Sequence, residues 1–412
     1  MNMGKPKIRF KGFDNDWEQR KLENFGKATG GTSIESEFSE EGVYKVISIG
    51  SYSENSLYND QGIRAIKSDK TSNRVLSRND LTMILNDKTT SGNIIGRVLL
   101  IEESGIYVYN QRTERIEINV DEYDPVFLYE MLNAPNIREK IIKQAQGNTQ
   151  IYVNWSTISL LDYMIPSKEE QVKIGEYLHN LSNLITLHQR KCEDTKKLKK
   201  YMLQKMFPQN GSKVPEIRFK GFTDDWEQRK LGEICSRIQG NDGRMELPIL
   251  TISAGNGWMK QEDRFSGNIA GKEQKNYTLL KKGELSYNHG NSKLAKYGTV
   301  FSLQTYEEAL VPRVYHSFKI ENGNANFIEY YFATKLPDRE LGKLISSGAR
   351  MDGLLNIGYD DFMGISLLLP KTQEQNHIAG YFRIFDRLIT LHQNKCDELK
   401  KIKKYMLQNM FV

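Results

Sequence analysis

Two groups of polar side chains in the first half of the chain are of the types that hydrogen-bond to the edges of nucleic-acid bases. Their members are Lys88, Thr89, Thr90, Ser91 and Asn93 in one loop, and Gln111 and Arg112 in another. Such residues reach base edges in a DNA groove when a rigid scaffold presents them. A run of cations between strand-like segments is suited to phosphate contacts: Arg64, Lys67, Arg74 and Arg78.

The second half of the chain carries a comparable group. It consists of Asn288, His289, Asn291, Ser292, Lys293, Lys296, Tyr297 and Arg313. Arg313 takes the place that Arg112 has in the first half. Asparagine, glycine and serine also form polar turns for backbone reasons alone. The loops are therefore candidates for DNA contact, with ordinary turns as the alternative interpretation.

Motifs that carry catalysis are missing from the sequence. It contains no complete GxxxxGK[ST] loop, no Asn-Pro-Pro or Asp-Pro-Pro motif of an amino-methyltransferase, no GxGxxG and no HExxH. We therefore expect a binding protein with no catalytic residues of its own. An enzyme with an unrecognised site is the alternative, and it would act without partners.

Length and composition bound the class of protein. The 412 residues suit two or three domains, and 38% hydrophobic residues supply cores for them. The chain has no apolar run of membrane-spanning length, and Cys192, Cys235 and Cys396 lie far apart with no CxxC pair. We expect a cytoplasmic protein with no membrane partner. The net charge of +6 permits an anionic partner.

An internal repeat frames the two halves. Residues 6–22 are PKIRFKGFDNDWEQRKL and residues 215–231 are PEIRFKGFTDDWEQRKL; residues 187–207 are LHQRKCEDTKKLKKYMLQKMF and residues 391–411 are LHQNKCDELKKIKKYMLQNMF. The segments between them share little identity but the same coarse order of strand-like runs, a helical stretch and a last strand. Such a chain holds two similar domains with different surfaces.

The downstream repeats lie in long segments with helical periodicity. No proline interrupts residues 169–207, where apolar or small residues recur every three or four positions, Leu198 among them. The second copy repeats the pattern up to Met410. We expect an intramolecular antiparallel coiled coil, with bundling against another protein as the alternative. The basic residues of the first helix favour a solvated face over a DNA contact, and the seam residues His188, Cys192, His392 and Cys396 favour core filling over a metal site, so no metal is predicted.

These patterns predict an α+β fold with two globular domains in tandem repeat, separated by two long antiparallel coiled-coil helices. The predicted bounds are 1–166 for the first domain, 167–208 for the first helix, 209–370 for the second domain and 371–412 for the second helix.

The sequence resembles the specificity subunits of type I restriction–modification systems over essentially its whole length. The markers are the PxIRFKGFxxxWEQRKL frame in both copies, Pro166 with Glu170-Gln171, Pro370 with Glu374-Gln375, the LHQxKC…KKYMLQxMF helices, and SYNHGNSKLAKYG at residues 286–298. The resemblance implies two target-recognition domains, each recognising half of a bipartite, asymmetric sequence in double-stranded DNA.

The resemblance also implies partners. Two modification subunits, which methylate adenine N6, would dock on the repeated frame, and restriction subunits would join them. The assembled complex would use S-adenosylmethionine, ATP and Mg²⁺ through those partners, with no cofactor in this chain. A modification-only complex is an alternative to the full system. A coiled-coil scaffold that binds only proteins is another, although it does not explain two diverged domains on one frame.

Overall fold

The computed structural model describes residues 5–89, 91–209, 211–265, 271–345 and 353–412. The chain forms two compact units. The first comprises Met1–Gln189 and Gln393–Val412, and the second comprises Arg190–His392. Each unit therefore contains part of each long helix.

The first unit is built around a main antiparallel sheet of four strands, with further short strands beside it. Its strands are β1 (Glu18–Lys21), β2 (Gly26–Gly30), β3 (Tyr44–Ile47), β4 (Arg64–Ala65), β5 (Leu81–Ile84), β6 (Asn86–Asp87), β7 (Val98–Leu100), β8 (Tyr107–Tyr109), β9 (Thr113–Ile118), β10 (Ile151–Tyr152) and β11 (Asp162–Ile165). The main sheet has the order β2-β9-β5-β7, and a smaller sheet has the order β4-β3-β8 with β3 and β8 parallel. All four residues of β5 are buried because the strand is covered on both faces.

Most of the first unit's helices pack against the main sheet in one core. They are α1 (Asp69–Ser72), α2 (Pro125–Asn133), α3 (Pro135–Ile142), α4 (Trp155–Ile158) and the long α5 (Lys168–Lys205), which enters the second unit. Short 3₁₀ turns span Leu22–Phe25, Glu35–Glu37 and Ile49–Ser51. The Asp124 side chain caps α2 by accepting from Phe127 N at 2.7 Å, and Pro125 fixes the first turn.

The second unit repeats this plan. Its strands are β12 (Glu227–Lys230), β13 (Cys235–Ile238), β14 (Leu250–Ser253), β15 (Gly257–Lys260), β16 (Thr278–Lys281), β17 (Leu285–Asn288), β18 (Thr299–Ser302), β19 (Glu308–Val311), β20 (His316–Ile320) and β21 (Ser366–Leu369). Its helices are α6 (Gln261–Phe265), α7 (Ala325–Ala333), α8 (Asp338–Lys343), α9 (Tyr359–Met363) and the long α10 (Thr372–Asn409), with 3₁₀ turns at Leu231–Glu233 and Gly271–Asn276. The main sheet order β13-β20-β17-β18 matches the order in the first unit strand for strand.

The repeated frame pairs its strand with the last strand before each long helix. β1 pairs with β11, and β12 pairs with β21, in the same antiparallel register. Buried bidentate ion pairs then tie the frame to the helix starts. Arg9 donates to both carboxylate oxygens of Glu170 at 2.7 Å, and Arg218 donates to those of Glu374 at 2.7 and 2.8 Å.

The glutamine that follows each of these glutamates ties the long helix to the cap of α2 or α7. The Gln171 side chain accepts from Asp124 N and donates to Pro166 O. Gln375 makes the same bonds to Asn324 N and Pro370 O. The Pro…Glu-Gln pattern of the sequence therefore fixes the start of the long helix against the rest of the unit in both copies.

The long helices bury their apolar stripes within the units. In the second unit, Cys192 Sγ donates to Ile389 O at 3.8 Å and Lys199 Nζ donates to Asp386 Oδ1 at 2.5 Å, so the two helices run antiparallel there. Leu198 departs from the predicted seam, because 49% of it is exposed. The equivalent residue of the second copy, Ile402, is half-buried against the core of the first unit, so the repeated spacing does not itself decide which of these positions is covered.

The predicted fold class is confirmed: an α+β chain with a tandem repeat of mixed domains and two long antiparallel helices. The predicted domain bounds remain a prediction.

Candidate nucleic-acid interface

The loop after β5 in the first unit is held from inside by a buried carboxylate. Asp87 accepts from Thr89 N and Thr89 Oγ1 at 2.8 Å, and its other oxygen accepts from Ile94 N at 3.1 Å. Thr89 Oγ1 lies 2.7 Å from Ser91 Oγ. Lys88, Thr89, Ser91 and Asn93 are exposed beside these contacts. The predicted contact Thr90 lies outside the described residues.

A buried arginine supports the same loop from α3. Arg138 donates to the carbonyl oxygens of Asn93 and Ile95 at 3.1 and 2.9 Å. Burial and the nearby Arg97 lower the pKa of Arg138 to about 10. Asn93 is further fixed by donating from Nδ2 to Glu54 at 2.8 Å.

The turn between β8 and β9 lies at the same edge of the sheet. Leu85 N donates to Arg112 O at 2.9 Å, which joins this turn to the loop after β5. Arg112 is exposed with φ of +68°, a left-handed conformation that is uncommon for arginine. Gln111 donates to Glu35 at 3.0 Å.

The predicted phosphate contacts are spread over the first unit. Arg74 is part of the edge, because it donates to Gly30 O, the Tyr109 hydroxyl and Thr32. Lys67 is exposed, and Arg64 is held by a bidentate pair with Asp60 that lowers the pKa of that carboxyl to about 2. Arg78 lies before β5, and thus at the opposite end of that strand from the loop.

In the second unit, two predicted loop residues belong to the scaffold. Asn288 is the last residue of β17 and donates to Ile252 O at 3.2 Å. His289 is only 5% exposed, and its two ring nitrogens lie 2.7 Å from Leu355 O and 2.9 Å from Val314 O. His289 therefore links the loop to the β19–β20 turn, as Leu85 does through its backbone in the first unit.

The exposed part of this loop follows His289. Its outward side chains are Asn291, Ser292, Lys293 and Lys296. Tyr297 is half-buried and accepts at its carbonyl from the Tyr287 hydroxyl at 2.7 Å. Gly298 returns the chain to β18 at φ +81°, where Tyr287 and Asn288 O leave no space for a Cβ atom.

Arg313 is exposed on the β19–β20 turn. Counting back along the paired strands from β9 and β20, Val314 rather than Arg313 is equivalent to Arg112, and Arg313 is equivalent to Gln111. The two turns occupy the same place on the sheet, but their basic residues differ by one position.

A cavity of about 360 Å³ lies beside this loop. Asn288, Asn291, Ser292 and Lys293 line it together with Arg264. Arg264 donates to Ile252 O at 2.6 Å. Sequence reasoning missed Arg264 because it lies on α6, far before the loop in the chain, and meets it only in the fold, where Arg264 and Asn288 both donate to Ile252 O.

A titratable side chain occupies an equivalent position in the two main sheets. Glu114 lies opposite Met83, and His316 lies opposite Tyr287. Burial raises the pKa of Glu114 to about 7, against a smaller opposing effect of Arg74. Burial also lowers the pKa of His316, whose ring stacks 4.9 Å from His289. Neither group was singled out from the sequence.

The sequence model of the type I restriction modification DNA specificity domain matches this chain twice, at residues 14–196 and 223–401. These matches cover most of the chain. The chain belongs to the type I specificity family.

One curated protein and one solved structure are similar to this chain. The type I restriction enzyme MjaVIII specificity subunit of Methanocaldococcus jannaschii is 23% identical over 312 residues, which are 69% of this chain and 68% of that protein. The crystal structure of the type I restriction–modification S subunit from M. genitalium matches with a TM-score of 0.64 and 15% identity over 99% of both chains. The latter likeness shows that the fold is shared.

The specificity chain therefore functions in DNA recognition within a type I restriction–modification system and assembles with other subunits. No helix in the described part of the chain is long and apolar enough to cross a membrane. The described residues also contain no group of three or more His, Cys, Asp or Glu side chains placed to hold a metal ion.

Proposed function

We propose that each unit recognises one half of a bipartite, asymmetric double-stranded DNA target. The proposal rests on one observation: the repeated frame is alike in both units, whereas the loops at the edge of the main sheet differ. The frame contacts and sheet order are the same in both units, whereas the loops at the equivalent edge of the main sheet differ in sequence and in support. Two equivalent scaffolds with different edges suit two different half-sites.

The proposed base contacts are side chains at these edges, of which Gln111 is half-buried. In the first unit they are Lys88, Thr89, Ser91, Asn93, Gln111 and Arg112, with Thr90 added from the sequence; in the second they are Asn291, Ser292, Lys293, Lys296 and Arg313. Arg74, Lys67 and Arg264 suit phosphates, and His289 and Asn288 position the second loop. Arg64 and Arg78 are weaker candidates because one is paired with Asp60 and the other lies at the far end of β5.

We propose two modification subunits per chain, docked on the repeated helices. Support comes from exposed leucines at repeated positions, one pair in each unit. Leu184 and Leu187 are both 43% exposed in the first unit, and Leu388 and Leu391 are 38% and 58% exposed in the second. Apolar side chains kept on the surface in both copies favour a protein partner over solvent.

The chain itself is proposed to be non-catalytic and cytoplasmic. Its complex would methylate adenine N6 with S-adenosylmethionine from the modification subunits, while restriction subunits would supply ATP- and Mg²⁺-dependent translocation and cleavage. A modification-only complex is the second candidate, and it differs only in lacking the restriction subunits.

The test is co-expression with a candidate modification subunit, followed by mapping of N6-methyladenine in the host DNA. We expect a bipartite, asymmetric methylated motif that appears only when both proteins are present. Replacing residues 24–165 with the equivalent segment of another family member should then change one half of the motif.

Methylation by this chain alone would overturn the non-catalytic assignment. A change in both halves of the motif after the exchange would overturn the proposal of one half-site per unit. Methylation without DNA cleavage in the presence of a candidate restriction subunit would favour the modification-only complex.

A further inference from the structure

The exposed side chains of the two recognition edges differ in polarity. In the loop after β5 and in the β8–β9 turn, the exposed side chains that the structure describes are all polar: Lys88, Thr89, Ser91, Asn93 and Arg112. The second edge exposes two aliphatic side chains as well. Leu294 is 69% exposed in the loop after β17, and Val314 is 45% exposed in the β19–β20 turn. Hydrogen bonds to base edges give these two side chains no role.

Leu294 lies at the tip of a turn that backbone hydrogen bonds close. Ser292 N donates to Ala295 O, and Ala295 N donates to Ser292 O, both at 3.1 Å. Lys293 and Leu294 are therefore the two residues at the tip, as in a tight β-hairpin. Ala295 is buried, which attaches the turn to the rest of the unit. These contacts place Leu294 on the surface of the recognition loop and not in the core.

Val314 takes the place that Arg112 has in the first unit, as the strand pairing shows. The carbonyl oxygen of each residue is bonded to the start of the loop at the same edge. Arg112 O accepts from Leu85 N at 2.9 Å, and Val314 O lies 2.9 Å from His289 Nε2. An isopropyl group thus replaces a guanidinium at equivalent places. Arginine in the major groove suits O6 and N7 of guanine, whereas an aliphatic side chain suits the C5-methyl group of thymine.

Both aliphatic side chains lie beside cations. Lys293 precedes Leu294 in the chain and Lys296 follows it, while Arg313 precedes Val314, and all three cations are exposed. Such neighbours suit phosphates on either side of a DNA groove. A protein partner would instead favour a contiguous apolar patch without charges between its members. The charges beside Leu294 and Val314 therefore favour DNA as the occupant.

We infer that Leu294 and Val314 contact the C5-methyl groups of thymines in the major groove of the second half-site. This inference rests on the proposed function and names the chemical group that these two residues recognise. The first edge would discriminate bases through hydrogen bonds. The second would combine hydrogen bonds from its polar side chains with methyl contacts, so its specificity would depend in part on apolar surface that DNA binding buries.

Uracil in place of thymine tests this inference, because it removes the methyl group and keeps every Watson–Crick hydrogen bond. The complex of the full chain with its modification subunit is titrated at a fixed salt concentration with duplexes that carry the mapped target. Each thymine of the second half-site, on either strand, is replaced in turn. Loss of one buried methyl contact should weaken binding about fourfold. We expect one such thymine that Leu294→Ala no longer distinguishes from uracil, and another that Val314→Ala no longer distinguishes.

Val43→Ala is the matched control, because Val43 is 69% exposed, like Leu294. It precedes β3, at the end of that strand away from the β8–β9 turn, since β3 and β8 are parallel. This variant should keep the full preference for thymine over uracil. Leu294→Met, which keeps an apolar side chain, should keep most of it. Thymines of the first half-site should respond equally in the unmodified complex and in the Leu294 and Val314 variants.

Equal affinity of the unmodified complex for thymine and uracil at every position of the second half-site would overturn the inference. An unchanged preference for thymine in both alanine variants would also overturn it, because another side chain would then contact the methyl groups. Equal weakening of thymine and uracil duplexes by Leu294→Ala would contradict a methyl contact at that residue. None of these results would affect the proposed function, which fails only if the unmodified chain supports no bipartite methylation.

Discussion

The frame and the recognition edge of the two units have diverged to very different extents. Frame contacts recur with distances that agree within 0.1 Å, as in Arg9–Glu170 and Arg218–Glu374. At the edge, the first unit fixes its loop with the Asp87 carboxylate and Arg138, whereas the second uses His289 and the Asn288 side chain. Each edge has its own internal support, so one surface can change while the other and the shared frame remain intact.

The largest effect should come from breaking the frame in one unit. Arg9→Met leaves Glu170 buried without its partner, which costs about 3–5 kcal/mol. For a unit of this size we expect the melting temperature of the first unit to fall on the order of 10 °C. Arg218→Met should lower only the transition of the second unit, because Glu374 is buried in the same way. Differential scanning calorimetry with both transitions resolved measures this.

Lys5→Met serves as the control for the frame variants. Lys5 pairs with Asp16 at the surface, where an ion pair contributes below about 1 kcal/mol. Equal loss in both transitions after Arg9→Met would mean that the two units do not unfold independently.

Glu114 and His316, which occupy equivalent positions in the two units, should contribute to stability with opposite pH dependence. The pKa of Glu114 is raised by burial from 4.5 to about 7, so its contribution to stability is complete below pH 4.5 and is lost as the pH rises through 7. The pKa of His316 is lowered by burial from 6.5, so its contribution is complete above pH 6.5 and is lost as the pH falls. Since a shift of one pKa unit corresponds to about 1.4 kcal/mol, the raised pKa of Glu114 changes the free energy of unfolding by on the order of 3 kcal/mol across this pH range.

Glu114→Gln should therefore raise the first transition at pH 8 relative to the unmodified chain, with little change at pH 4.5. His316→Gln should raise the melting temperature of the second transition relative to the unmodified chain at pH 5, and it should do so less at pH 8. Thermal melts of both variants across this range check the signs. Parallel shifts of both transitions would show that these groups do not set the pH response.

Substitutions at the recognition edges should have smaller effects, and each should alter only one half of the DNA target. Removing a side chain that contacts a base costs about 1–3 kcal/mol of discrimination. Arg112→Ala should relax one half of the methylated motif and Asn291→Ala the other, each weakening DNA binding about tenfold or more. Arg78→Ala, at the far end of β5, should leave both halves unchanged. Methylation mapping with each variant measures the outcome, and a variant that altered both halves would contradict the separation of the edges.

The smallest effect should come from Leu198→Lys on α5. Because Leu198 is 49% exposed, the free energy of unfolding should change by no more than about 0.5 kcal/mol. Leu399, which is buried on α10, should by contrast tolerate lysine poorly. A large loss with Leu198→Lys would restore that residue to the helix seam.

Much of the architecture was predictable from the sequence. The repeated frames, the strand-like runs before Pro166 and Pro370 and the long helices follow from local patterns, because hydrophobic periodicity and proline positions act over a few residues. The pattern also predicted the polar loops at both edges. It failed at Leu198, where the alternation of three and four residues does not specify how a helix rotates against its partner.

By itself, the sequence determined the tandem repeat, the α+β class and the family. The tertiary structure decided which polar side chains of the loops are exposed and which are buried in hydrogen bonds that hold the loops in place. His289 and Lys293 are both polar loop residues in the sequence, yet one is buried between two carbonyl oxygens and the other is exposed. Arg264 reaches its edge through a side-chain hydrogen bond to Ile252 O, and Glu114 reaches the other through the pairing of β9 with β5. Such contacts join residues far apart in the chain, and the side-chain types alone do not encode where each strand register brings them together.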